Sequence, residues 1–481
     1  MANGNDPANI PYIIAENGFY YVAYKEKVKV PEVVVSSKGV ANGLSEEYND
    51  GWDFGPDSYD PNSTASPPYT QTLGIQEATS YIYNEGGGVI LVSPGHYIFT
   101  GNPKHVITFP VISYSSRPMI IEIRGAFSGM FTVANGQATL PADFGAVFDF
   151  TGLTAPATVP GSEFYVPPQT GVPFNINNLV LIMKNIEIIN SINSNYTGID
   201  AFYASSFGIE DATVTVNSYA GAISAPTGTA IGIRFPVSFN NNLVYGTNFF
   251  VQGYAIGIQA EGNTTLTNFY IQSCGDGLQT TAGGNSSSTY ALTLTHANIQ
   301  ECTYSITNRD AADTPFVLIG TYVTFENSGT VPLMTTTYNV LDVNGNLRGH
   351  LYYTMNDSTS TDNPITFSGT TYFWMRRLSG PVLPIPTTLA ITSGTQFTNN
   401  YGVPIVVNVP ITFNPTSTAA ATVTIGKQPG TVSTTFLSDS EPEALTVGRI
   451  RTYSIDLPAG WSMLITTVNA TIGTAYITEP E

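Results

Sequence analysis

Gln71–Thr100 reads QTLGIQEATSYIYNEGGGVILVSPGHYIFT, and the order of its parts decides the fold. Ile75, Ala78, Thr79 and Ile82 fall at i, i+3, i+4 and i+7, one mostly apolar stripe on a short helix. Gly86, Gly87 and Gly88 end it, because glycine enters the left-handed conformation without steric cost. Val89-Ile90-Leu91-Val92 is a continuous, largely β-branched run, expected as a strand covered on both faces. Pro94-Gly95 then turns the chain into a second strand, His96-Tyr97-Ile98-Phe99.

Further along, strands recur at Met119–Arg124, Ala146–Phe150 and Leu179–Ile189, and between Thr247 and Gly329 they become a repeat. VQGYAIGI from Val251 aligns with IQSCGDGL from Ile271 and with IQECTYSI from Ile299. A fainter copy starts at Phe325. Strand-like units at such periods point to a solenoid, whose coils bury their apolar faces only by stacking in register. The longer second step contains Ala282–Ser288, read as a loop inserted in one coil. Cys274 and Cys302 occupy one repeat position on successive coils, close to disulfide range, as a bonded pair or as two buried thiols. Gln252, Gln272 and Gln300 are expected to stack as a structural amide ladder.

Asp53-Phe54-Gly55, Ile75-Gln76, the three glycines and Pro94-Gly95-His96-Tyr97 follow one another over 45 residues. That ordered set resembles the entry segment of the pectate-lyase-like superfamily of right-handed parallel β-helices. In that family the helix covers the open first coil, where unpaired strand edges need shielding. The resemblance implies fold more than function, since the same coil carries lyases, hydrolases, phage tailspikes and non-catalytic adhesins. Pectate lyases typically carry an acidic calcium site near an arginine, and galacturonate hydrolases an Asp-Asp pair and a Gly-His-Gly element. The chain has neither of the latter motifs, and Arg309 beside Asp310 is only an echo of a lyase base, so no family catalytic residue carries over.

Charged residues make up 11% of the chain, against about 25% in an ordinary soluble domain. With 16 Lys and Arg and a net charge of −19, the chain lacks the basic surface that nucleic acid requires. Its Thr, Ser, Asn, Gly and Tyr surface suits carbohydrate contact or an acidic medium in which carboxylates are protonated. The N-terminus shows no secretory leader, and no apolar run is long enough for a membrane span. A surface-type composition without a leader fits a virion component released by assembly, or a chain whose native leader is missing. Low charge fits an archaeal virus of a hot, acidic habitat. Related spikes are often trimers, and a homotrimer is the oligomer the resemblance implies.

Three segments are expected: an N-terminal arm with a candidate anchoring role over 1–50, a parallel β-helix over 51–385, and a β-sandwich over 386–481. Within the arm, Lys25, Lys27 and Lys29 alternate with Glu26, Val28 and Val30, as on a half-exposed strand. Pro56–Tyr69 reads as a loop leading into the helix. Residues 340–385 read either as last coils or as a connecting domain. Pro381, Pro384 and Pro386 punctuate a linker, and the short strands beyond are spaced as in an antiparallel sandwich. The fold class is therefore all-β, a right-handed parallel β-helix with a short N-terminal capping helix and a C-terminal β-sandwich.

Carboxylates stand out on so charge-poor a coil. Asp276, Glu301, Asp200 and Asp211 are the candidate catalytic residues, with Glu210, Asp310 and Asp313 beside them. Glycosidic hydrolysis needs two carboxyl groups, one as acid and one as base or nucleophile. Asp276 and Glu301, on successive coils, are expected to share a face. No cofactor or metal pattern is present. Three functions follow: a virion surface or tail-fibre protein that recognises a host-surface glycan and contacts other virion proteins, a polysaccharide lyase or glycoside hydrolase, or a purely structural capsid element. Convergent carboxylates in one groove would mark the enzyme, and a flat aromatic and amide surface the binder.

Overall fold

In the computed structural model the described residues are 12–16, 19–23, 31–36, 53–56, 72–125, 132–134, 137–139, 145–154, 161–190, 195–216, 230–237, 244–260, 262–280, 290–308, 316–326, 339–344, 347–355, 365–368, 371–379, 388–399, 404–414, 418–426, 434–441, 449–458 and 461–478. Lys25–Val30, most of Pro56–Tyr69, Ala282–Ser288, Arg309, Asp310, Asp313 and the linker prolines lie outside them.

Two parallel sheets, one of 14 strands and one of nine, form the solenoid. One coil shows the plan: Ile256–Ala260 belongs to the nine-stranded sheet, Thr264–Gln272 to the larger one, and Asp276–Thr280 returns to the first. Long strands of the larger sheet bend midway at a left-handed residue, with φ of 48° at Asp211, 53° at Asn248 and 50° at Asn268. Each coil thus has three flat runs around one core. The bend divides the larger sheet into a leading half and a trailing half.

Register follows the repeat. Val251, Ile271, Ile299 and Phe325 are successive Cα partners and all fully buried. The unequal sequence steps are therefore equal steps in space, the difference being taken up between strands. Gly257 and Gly277 face crowded surroundings: a Cβ on Gly277 would lie 2.8 Å from the Ser305 carbonyl oxygen and 3.1 Å from Cys302 Sγ. The described residues between 340 and 385 continue the coil: Asn339–Asn344 and Ile365–Ser368 extend the nine-stranded sheet while Leu347–Met355 and Thr371–Ser379 extend the other.

The helix Ile75–Asn84 buries Ile75, Ala78, Thr79 and Ile82, the predicted stripe. Gly86, at φ 86°, ends it, with Gly86 N–H donating to the Tyr83 carbonyl and Gly87 N–H to that of Ile82. Gln76 has a role the sequence did not disclose. Its Nε2 donates to the Thr108 carbonyl (2.9 Å) and its Oε1 accepts from Thr108 N–H (2.7 Å), so one side-chain amide pairs the free edge of the nine-stranded sheet. Asp53 accepts from Val34 N–H (2.8 Å) and Phe54 bridges Val35, which ties the Asp-Phe-Gly element to the outermost strand of the larger sheet, Glu32–Val35.

Gly88–Val92 departs from expectation: Ile90 and Val92 are buried, but Val89 and Leu91 are only half-buried. A solenoid strand has one face inward, so its apolar run reports parallel pairing without a second cover. Beyond the coil, five- and four-stranded antiparallel sheets between Thr388 and Thr478 enclose a separate core that includes Ile405, Val407, Val423 and Ile465. The expected sandwich is present.

Candidate functional site

Register places the outward side chains of the trailing half in continuous rows that cross the strands. The bend supplies the first: Asp211, Asn248, Asn268, His296 and Tyr322, all exposed and all at φ between 48° and 56°. Asn248 Nδ2 donates to Asp211 Oδ1 (3.1 Å) and Asn268 Nδ2 to Asn248 Oδ1 (2.5 Å), a ladder of residues that tolerate the left-handed region. The row then changes character. His296 and Tyr322 stack with centroids 5.1 Å apart and planes at 14°.

A second row joins Thr213, Phe250, Tyr270, Asn298, Thr324 and Thr354 as successive partners. Phe250 and Tyr270 stack at 5.0 Å and 27°. Asn298 Oδ1 is buried without a hydrogen-bond partner among the described residues, and the Tyr270 hydroxyl donates to Gln300 Oε1. Together the two rows line a groove of about 870 Å³. Its surface is rings, amides and hydroxyls with one carboxylate, Asp211, and one imidazole, His296.

The glutamine ladder forms the next row. Gln252 Nε2 donates to Gln272 Oε1 (3.2 Å), as expected, but Gln272 donates to Glu301 Oε2 (3.2 Å) and Gln300 to Glu326 Oε2 (2.6 Å). The ladder therefore ends on carboxylates.

Glu301 sits at the turn after this row, left-handed at φ 52°, and also accepts from Ser273 Oγ (3.2 Å) in the preceding coil. Asp276 belongs to the nine-stranded sheet, where Oδ2 accepts from Gln279 Nε2 (2.7 Å) and from Thr307 Oγ1 (3.1 Å) in the following coil. Asp276 is held within the nine-stranded sheet and Glu301 at the turn that follows the larger one, each leaning toward the other's coil through Thr307 and Ser273. Asp200 lies three strands from Asp276, about 14 Å at the usual strand spacing. Its donors are Ser162 Oγ (3.4 Å), on the side away from Asp276, and Phe202 N–H (3.3 Å). Burial raises the Asp200 carboxyl above its ordinary value, opposed by Arg234 at 4.0 Å. Asp211 and Glu301 are likewise three strands apart. These separations exceed the roughly 5 to 9.5 Å of glycosidase carboxyl pairs. Glu210 faces the leading half, bound to Lys184 Nζ (2.9 Å) and the Tyr245 hydroxyl (2.6 Å). Burial pulls its pKa upward, but these partners outweigh it and leave the carboxyl below its ordinary value.

Three other carboxylates escaped the sequence reading because no repeat position marks them. Glu187 is the partner of Thr213, at the groove's end, and burial with the Asp149 charge pushes it up to about 7. Asp149, on the adjacent strand, accepts from Thr151 N–H (2.9 Å) and pairs with His96 Nε2 (2.8 Å). Glu163 is fully buried, neither oxygen has a hydrogen-bond partner among the described residues, and burial followed by Asp149 raises it well above its ordinary value. Cys274 and Cys302 are free, buried thiols. Among the described residues no three His, Cys, Asp or Glu side chains group as metal ligands, and no helix is long and apolar enough to cross a membrane.

No protein-family model and no curated protein matches the chain. Among solved structures, the tailspike gp49 of Acinetobacter baumannii bacteriophage Fri1, a capsular polysaccharide depolymerase, aligns at 10% identity and TM-score 0.29 over 84% of this chain and 82% of its own. A mutant tailspike of E. coli bacteriophage HK620 aligns at 12% and 0.30 over 96% and 98%. The A-module of the Azotobacter vinelandii mannuronan C-5 epimerase AlgE6 aligns at 12% and 0.30 over 64% and 94%. At such values the likenesses assign no activity, and the parallel β-helix stands on the strand register above.

Proposed function

We propose that the chain is a surface protein of the virion or tail-fibre kind that recognises a host-surface glycan in the groove of the trailing half. One observation carries this reading. Tyr322 is 58% exposed, in a left-handed conformation that costs a bulky residue energy, and it stacks on His296 at the groove's rim. An exposed ring held there at a cost is what a sugar-stacking platform requires. Phe250 and Tyr270 present a second stacked pair, and the amides beside them supply donors and acceptors for hydroxyls.

Incubating the full chain with host-envelope glycans, with chain-length analysis at acidic and neutral pH, tests the reading. Glycan that co-migrates unshortened is expected, and no association with a competent panel would sink it in favour of a structural capsid role.

Shortened glycan would establish the second reading, cleavage at the groove's end. Glu187 and Asp149 favour it, as side chains on neighbouring strands offset by two residues, about 8 Å apart at Cα. Glu187 would protonate the leaving oxygen while Asp149 activates water at the anomeric carbon. Glu187→Gln would then abolish shortening and leave co-migration intact.

A further inference from the structure

The groove's charges constrain its ligand beyond the glycan reading, on which this inference rests. Carboxylates mark its margins: Asp211 on the rim, and Glu301 and Glu326 where the glutamine ladder ends. Among the described residues of the three rows there is no lysine or arginine. The basic groups seen in ion pairs on the larger sheet, Lys184 and Arg124, belong to its leading half, where they pair with Glu210 (2.9 Å) and Glu122 (2.6 Å). Arg376 and Arg377 lie one strand beyond Thr354. Over the rows from Asp211 to Glu326 a polyanionic glycan would therefore meet a negative margin on a chain of net charge −19.

An uncharged chain meets none of that repulsion. Its ring faces can stack on Phe250, Tyr270 and Tyr322, and its hydroxyls can donate to Asp211 or Asn298 Oδ1. The rows cross six strands from Ala204–Val216 to Leu347–Met355, a span of about 24 Å at the usual strand spacing. That length accommodates an oligosaccharide rather than a single sugar.

We infer that the groove selects an uncharged glycan chain and rejects uronate-rich and sulfated polymers. Binding then draws on stacking and neutral hydrogen bonds, which salt screens little.

Affinity electrophoresis of the full chain in gels cast with a neutral glucan, a galactomannan or polygalacturonate, at low and raised salt, tests this. Retardation by a neutral polymer is expected, unchanged by salt and about tenfold weaker for Tyr322→Asn, which removes the ring and keeps a residue suited to the backbone. Retardation by polygalacturonate that Tyr322→Asn abolishes would overturn the charge selection while leaving the glycan groove standing. Retardation in no gel, or retardation indifferent to both Tyr322→Asn and Tyr270→Ala, would overturn the groove itself. Circular dichroism of both variants separates lost binding from lost folding.

Discussion

Tyr322 lies over His296, centroids 5.1 Å apart and planes 14° from parallel, and both residues are left-handed, at φ 56° and 52°. Asn268 and Asn248 hold the same row position two and three coils earlier, where the conformation suits them. Tyr322→Asn should therefore raise stability by roughly 1 kcal/mol while it weakens glycan binding. Urea unfolding of the two proteins reads the first effect. A loss of stability would make the ring a packing element.

Gln76 pairs both polar groups of the Thr108 peptide from the capping helix. Removing the amide in Gln76→Ala leaves an N–H and a C=O at a sheet edge without that partner, at a cost of about 1 to 3 kcal/mol. Hydrogen exchange should then rise first in His105–Thr108. Uniform exchange across the solenoid would show that the cap is not a local lock.

Stability should fall as pH rises past the ordinary glutamate range. An unfolded Glu187 ionises near 4.5, whereas the folded one keeps its proton to about 7, so the unfolded state alone sheds it between those values. The loss amounts to roughly 3 kcal/mol once pH passes 7. Glu163, raised by burial and then Asp149, acts in the same direction. His105 acts oppositely: burial and Lys104 lower it from 6.5 to about 4, so it withdraws stability as pH falls through that window. The two windows nearly coincide with opposite sign, so Glu187→Gln should make the melting temperature fall less steeply with pH across them and His105→Gln more steeply. Unaltered slopes would place the titrations elsewhere.

Cys302 is buried, and burial, with Cys274 beside it, lifts its thiol well above the ordinary value. Native protein should take up no alkylating reagent at either cysteine, and two equivalents once unfolded. Melting should be insensitive to reductant. A reductant-dependent melt would reveal a bonded pair.

The solenoid was legible in the sequence because stacking forces a shared register. The offsets from Val251 to Ile271, Ile299 and Phe325 are the strand partnerships themselves. The helix was legible because its stripe and its glycines act locally. Side-chain direction was not. Asp276 and Glu301 occupy successive repeats, but the donor that holds each carboxylate, Thr307 for one and Ser273 for the other, is set by the turn between the sheets. Phe250 and Tyr270 each precede an aligned core residue, so an outward row was implied by alternation. Their convergence with Tyr322 depended on the left-handed bend, and a tyrosine there carries no sequence signal for that conformation. Glu187 drew no notice because its raised pKa comes from burial by residues distant in the chain.

The most direct measurement is hydroxyl-radical footprinting of the full chain with and without a bound neutral oligosaccharide. Protection is expected at Phe250, Tyr270 and Tyr322, with Tyr476 of the sandwich unchanged. Protection at Tyr476 without protection of the three groove rings would contradict a glycan site on the solenoid.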